Sequence, residues 1–182
     1  MRRSEEAAFR EYVTARMDRL RRTAYLYCRD WHTADDLVAI TIGKLYRNWS
    51  RAGQAANLDA YTQRVLVRSW LDERRRPWRR EETLEDPRDV PARAAQGAVP
   101  AEEAVLGRAQ LLPLLAGLPP RRRAVIVLRL YCDLSVEETA EILGCTAGTV
   151  KSQTARGLDT LRASIAGDAR LAGRNLDGQA TV

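Results

Sequence analysis

The stretch that most restricts what this chain can fold into is Leu134 to Arg162, LSVEETAEILGCTAGTVKSQTARGLDTLR. Ser135 followed three residues later by Glu138 is a capping-box start. Val136, Thr139, Ala140 and Leu143 then recur at helical spacing. Gly144 stands where a left-handed residue ends a helix. Thr146 can cap a second helix whose inner stripe is Val150, Thr154, Leu158 and Leu161. That leaves Thr149, Lys151, Ser152, Gln153 and Arg156 outside, residue types that reach bases and phosphates. Two packed amphipathic helices with a solvated face would share the pattern. The short Gly144-Cys145-Thr146 turn, small residues opening the second helix and its cationic exposed side favour a DNA-reading helix-turn-helix.

Charge points the same way. The 182 residues carry a net charge of +6 with a pI near 9.6, which suits an acidic partner. All the basic side chains except Lys44 and Lys151 are arginine. A GC-rich genome accounts for most of that bias, although the guanidinium fork suits phosphate and guanine wherever it is displayed. No apolar run is long enough to span a bilayer, and the N-terminus lacks both a signal-peptide core and transit-peptide character, so a cytoplasmic protein is expected. Cys28, Cys132, Cys145 and His32 have neither disulfide-framework nor zinc spacing and read as buried thiols and a lone histidine. With no nucleotide-binding glycine loop and no catalytic constellation, the chain is expected to be no enzyme and to need no cofactor or metal.

The remainder divides into helices. Ser4 to about Tyr27 is amphipathic, and Arg29 to His32 forms a turn. Thr33 is a candidate N-cap, with Asp35 and Asp36 in the following first turn. Val38, Ile42, Leu45, Tyr46 and Trp49 predict one continuous inner face; Leu37, Ile40 and Thr41 predict a second. A small polar loop, Arg51 to Asn57, precedes a helix from Leu58 to about Arg76 that interleaves aromatics with arginines. That mixture suits either single-stranded nucleic acid or a buried helix with snorkelling arginines. Pro77 stops this helix. Residues 81–104 hold seven acids against two bases, with three prolines, and read as a flexible acidic linker. Helical pattern resumes at Val105, turns at Gly117-Leu118-Pro119-Pro120, and continues through Arg121, Arg122 and Arg123 into Val125, Ile126, Leu128, Leu130 and Tyr131 as core. Periodicity fades after Ile165, which predicts a disordered tail over 169–182. The expected fold class is all-α: two small helical domains, 1–80 and 105–168, joined by the linker.

Two basic helical modules around an acidic linker, with the helix-turn-helix last, resemble a bacterial RNA polymerase sigma factor of the extracytoplasmic-function (ECF) group. The carriers are Ala34-Asp35-Asp36-Leu37-Val38, Leu118-Pro119-Pro120-Arg121 and Gly148-Thr149-Val150-Lys151-Ser152; Gln153 to Leu158 looks like the actinobacterial SigE-like subfamily. The resemblance implies that the first module binds core polymerase at the beta-prime clamp helices through Asp35, Asp36, Leu37, Ile40 and Lys44. Ala39 stands where many relatives carry glutamine. It implies that Trp49, Gln54, Asn57, Tyr61, Arg64 and Arg68 capture the opened minus-ten strand. It also implies that Thr149, Lys151, Ser152, Gln153 and Arg156 read the minus-thirty-five duplex with Arg121, Arg122 and Arg123 near phosphates. The implied partners are the clamp helices, the beta-subunit flap, promoter DNA and an anti-sigma factor, with the linker threading the polymerase cleft. The competing function is an autonomous helix-turn-helix regulator that needs no polymerase.

Overall fold

The computed structural model describes residues 3–75 and 114–177; Pro77, the linker over 81–104 and the helical pattern from Val105 to Leu112 lie outside the described residues. The first half consists of α1 (Arg3–Cys28), α2 (Trp31–Arg47), the single turn α3 (Trp49–Ala52) and α4 (Leu58–Arg75). The second half contains α5 (Pro120–Ile126), which continues as a π-helical segment (Val127–Tyr131), then α6 (Val136–Leu143) and α7 (Ala147–Asp177). No strand occurs among the described residues.

The α1–α2 reversal is made by Arg29, whose φ of 65° is left-handed, followed by Asp30 in extended conformation. Asp30, rather than the expected Thr33, is the N-cap. Its carboxylate accepts the Thr33 backbone N–H at 2.7 Å and the Thr33 hydroxyl at 2.8 Å, so α2 begins at Trp31, a turn earlier than expected. Asp35 and Asp36 therefore sit one turn too far along to complement the exposed N–H groups. The expected α2 stripe is also cut short. Val38 and Leu45 are buried, but Tyr46 is 48% exposed, and Trp49 lies beyond the helix end at Asn48. Trp49 is buried from α3 instead, where Phe9 meets it edge-on with ring centroids 5.1 Å apart.

In the second half, Pro119 and Pro120 start α5 where proline's missing N–H is harmless. The π segment inserts extra backbone per turn, with the Cys132 N–H bonded to the Val127 carbonyl. This shifts the phase of the side chains, so Leu130, expected in the core, is 56% exposed. The helix-turn-helix forms as its punctuation predicts. Ser135 and Glu138 complete the capping box, and Gly144 takes φ 64°. The Thr146 hydroxyl accepts the Thr149 N–H at 3.1 Å. Gly157 permits the closest helix approach, since a Cβ there would lie 2.7 Å from Cδ1 of Ile126. The end of periodicity at Ile165 is not the end of the helix, because α7 continues to Asp177.

The two halves share one core. Leu20, Ala24, Tyr27, Leu37, Leu66 and Trp70 from the first join Leu115, Leu118, Ala124, Leu128, Cys132 and Ile142 from the second in a single buried cluster. The Tyr27 and Trp70 rings stack at 4.9 Å near that junction.

Candidate nucleic-acid and polymerase-binding surfaces

The outer side of α7 is built as its sequence demands. Val150 is fully buried against Val125 and Ala140, which turns Thr149, Lys151, Ser152 and Arg156 outward, all exposed. Gln153 is half-buried, and its side-chain oxygen accepts a bond from Nε of Arg122 at 3.1 Å. Neither Lys151 nor Arg156 makes an ion pair or side-chain hydrogen bond with a described residue, and this face presents its cations to solvent.

Arg121, Arg122 and Arg123 prove to be three different things. Arg121 is exposed, Arg122 supports Gln153, and Arg123 is buried at 6% exposure. Nη1 of Arg123 donates to the Tyr27 carbonyl at 2.8 Å, while Nη2 donates to the Ala116 carbonyl at 3.0 Å and the Leu118 carbonyl at 3.3 Å. Its guanidinium lies 5.9 Å from the centre of the Trp70 ring. Burial, reinforced by the charges of Arg29 and Arg74, pushes its pKa down to about 10, which still leaves it charged at neutral pH. Arg123 is therefore an internal tie between the halves and touches no phosphate in this form. Three arginines in a row at a helix start gave no signal of which one would turn inward.

On α4, Asn57 caps the helix by accepting the Ala60 N–H at 2.9 Å. Gln54 is exposed in the preceding loop, and Tyr61 is half-buried against the Leu45–Trp49–Ala52 cluster. Trp49 itself, a candidate for base capture, is only 7% exposed inside that cluster and has no face to offer a base. The remaining candidates are engaged by the second half. Asn57 donates to Glu138 at 3.2 Å, Arg64 to Glu141 at 3.1 Å and Arg68 to the Ile142 carbonyl at 3.1 Å. Buttressing α4 is a network that sequence reading missed. The Tyr12 hydroxyl donates to Asp59 at 2.9 Å, and Arg16 donates to the same carboxylate at 3.0 Å. Burial alone would raise the Asp59 carboxyl, but the hydrogen bonds from Arg16 and Tyr12 and the Arg16 charge outweigh it and hold it below the usual range. Burial pushes the Tyr12 hydroxyl up to about 12.

The α2 surface proposed for polymerase separates likewise. Asp36 and Ile40 are exposed. Leu37, however, is 3% exposed and belongs to the shared core. Asp35 is clasped by Arg21 at 2.6 and 2.9 Å, and Lys44 donates to Ser69 at 2.8 Å. An open hollow of about 350 Å³ beside Ile40 is lined by Cys28, Thr33, Asp36, Leu37, Ala39, Trp70 and Glu73. Among the described residues no three His, Cys, Asp or Glu side chains come together as a metal-binding group.

Two separated recognition surfaces on an all-helical chain, one a helix-turn-helix, have clear relatives. Residues 12–80 match Sigma-70 region 2, and residues 108–161 match Sigma-70 region 4. The chain is 35% identical over 179 residues to the RNA polymerase sigma-E factor of Streptomyces coelicolor, covering 97% of this chain and 93% of that one. It belongs to the ECF sigma factors. The ECF RNA polymerase sigma factor SigE of Mycolicibacterium smegmatis is also 35% identical, over 86% of this chain and 61% of the relative. In three dimensions it resembles the sigma factor RpoE solved with the anti-sigma factor NepR from Bartonella quintana. That match has a TM-score of 0.70 at 24% identity, covering 85% of this chain and 94% of that one, and shows the shared fold. In this sigma factor, the region 2 match covers most of α1 and all of α2 to α4, and the region 4 match covers α5, α6 and the first half of α7. As a sigma factor it serves transcription initiation, binding core polymerase and recognising and opening promoters. No described helix is long and apolar enough to cross a membrane.

Proposed function

We propose that the sigma factor grips core polymerase through the exposed side of α2, with Asp36 and Ile40 at its centre and the adjoining hollow receiving a side chain from the beta-prime clamp helices. Asp35 and Lys44 sit at the edge of this surface and must exchange Arg21 and Ser69 for polymerase groups to contribute. Leu37 supports from beneath. A contact with the beta-subunit flap falls to the second half.

Thr149, Lys151, Ser152 and Arg156 read the minus-thirty-five duplex, with Gln153 oriented by Arg122 and Arg121 on a phosphate. Gln54, Asn57, Tyr61, Arg64 and Arg68 receive the unpaired minus-ten strand. Flipping a base there costs a few kcal/mol, which arginine contacts and a pocket offset. The acidic linker over 81–104 passes through the polymerase cleft. The similarly folded sigma factor RpoE is solved in complex with the anti-sigma factor NepR, and we expect such a partner for this chain. It acts in the cytoplasm, catalyses nothing itself and needs no cofactor.

The observation that carries this reading is the outward row Lys151–Ser152–Arg156, its two cations without an ion pair among the described residues, on a capped helix-turn-helix fused to a region 2 module that a simple repressor lacks. The test is a gel shift over a promoter library with and without core polymerase, followed by in vitro transcription. Promoter binding is expected to be weak alone and tight with core. Tight binding that ignores core would make the chain an autonomous regulator.

A further inference from the structure

The contact between Arg122 and Gln153 decides which end of the glutamine amide is left for a ligand. A guanidinium carries N–H donors and no acceptor, so Nε of Arg122 can meet only the oxygen of the amide, as it does at 3.1 Å. The reverse orientation would set two donors against each other. With Oε1 turned toward α5, the Nε2 amino group is the free end. Arg122 is itself held in place. Its stem lies over Gly157, one turn along α7 from Gln153, where a Cβ would come within 3.4 Å of the Arg122 Cγ. Gln153 stands on the flank of the reading edge. Thr149 and Arg156, four residues before it and three after, are its neighbours on the helix surface, and both are exposed.

In the major groove an unrestrained glutamine reads adenine with both ends of its amide, accepting from N6 and donating to N7. The same amide, rotated, can accept from the N4 amino group of cytosine. A glutamine whose oxygen is already bonded and turned away has lost that freedom. Its amino group suits guanine best, because N7 and O6 are both acceptors. Thymine O4 and adenine N7 offer one acceptor each, and adenine sets its own amino group beside it. Cytosine presents only a donor on that edge.

We propose that Arg122 is a positioning residue for sequence recognition: it locks Gln153 as a donor, so that one base position of the minus-thirty-five duplex selects guanine and rejects cytosine. The discrimination then originates on α5, in a side chain that need touch no base. Removing the lock leaves the reading helix in place and widens what it accepts.

This inference rests on α7 reading the minus-thirty-five duplex, and the variants separate the two. Core polymerase carrying the full-length sigma factor is presented with a duplex promoter library randomised across the minus-thirty-five element, and the bound fraction is sequenced. The parent should disfavour cytosine against guanine at one position, and Gln153→Ala should erase that preference there and nowhere else. Arg122→Met keeps an unbranched stem over Gly157 but no donor. It should admit cytosine about three- to tenfold more often at the same position, the scale of one neutral hydrogen bond. Arg122→Lys restores a donor and should restore most of the rejection. Arg121→Met removes an exposed cation that has no described bond to Gln153, and should lower binding to all sequences alike. If Arg122→Met does the same, with the cytosine bias intact, Arg122 is a phosphate contact and the lock is overturned. A Gln153→Ala variant with the parent's preference at every position would overturn it too. Arg156→Ala decides the underlying reading: unchanged affinity and base preference there would remove duplex recognition from α7, whereas a changed preference keeps it whatever Gln153 shows.

Discussion

The two basic surfaces of this sigma factor have the same chemistry and opposite situations. On α7, Lys151 and Arg156 face solvent; on α4, Arg64 and Arg68 are held by α6. Duplex DNA is available before initiation and its phosphates and groove edges need no prior work, so an open reader suits it. An unpaired strand exists only after melting, and an open receptor for it would bind any single strand present. The difference teaches that cationic residue types alone do not mark a working surface. Which carbonyls and carboxylates have already claimed them matters as much.

The largest expected effect concerns the tie that keeps α4 covered. Arg123→Ala should lower the unfolding free energy by about 2–4 kcal/mol in urea titration, because three carbonyls lose a charged donor inside the junction. Arg121→Ala, two residues earlier but exposed, should stay within about 0.5 kcal/mol. Equal effects would mean that Arg123 does not tie the halves.

Next is the comparison itself. Arg156→Ala should weaken minus-thirty-five duplex binding by about 1–3 kcal/mol if it reads a base edge, with or without core polymerase. Arg64→Ala should leave duplex binding by the free chain unchanged and impair promoter opening only once polymerase is bound, as read by permanganate footprinting. If Arg64→Ala also weakens free duplex binding, the covered and open surfaces are not distinct.

A smaller effect is expected at Gly157, where α7 nearly touches Ile126. Gly157→Ala should cost about 1–2 kcal/mol in thermal or urea unfolding as Ile126 moves aside. The smallest is a pH effect. The Asp59 and Glu138 carboxyls are both held below their usual range in the fold. Each therefore contributes stability that is present above the unfolded carboxylate pKa near about 4 and is lost as pH falls through the lower folded value. Unfolding monitored across that acidic window should show Asp59→Asn flattening the pH dependence by less than about 1 kcal/mol, since the Asp59–Arg16 pair is well exposed.

Much of the local structure was legible in the chain. Ser135, Glu138, Gly144 and Thr146 fixed the helix-turn-helix because capping and left-handed backbone are decided within a few residues. The outward set on α7 followed from the spacing of Val150 and its neighbours. The N-cap of α2 was misread because Asp30 and Thr33 both suit a cap, and the geometry after left-handed Arg29 favours the earlier one. The family resemblance assigned Trp49 and Leu37 to partners; periodicity had put Trp49 on an inner face, where it is buried, but for Leu37 it says only that the residue is apolar and on a face, not what covers that face. Leu130 left the core through a π segment that no residue pattern announced.

By itself, the sequence determined most of the helices, the caps of the helix-turn-helix, the outward basic edge of α7 and membership of the ECF sigma factors, all of which depend on short-range spacing and residue type. Only the tertiary structure decided that Arg123 turns inward, that Gly157 is a packing glycine, and that Glu138 and Glu141 meet Asn57 and Arg64. Those partners stand 81 and 77 residues apart, and at such separations no local preference says which charges will meet. The docking of the two halves over a common apolar core brings them together.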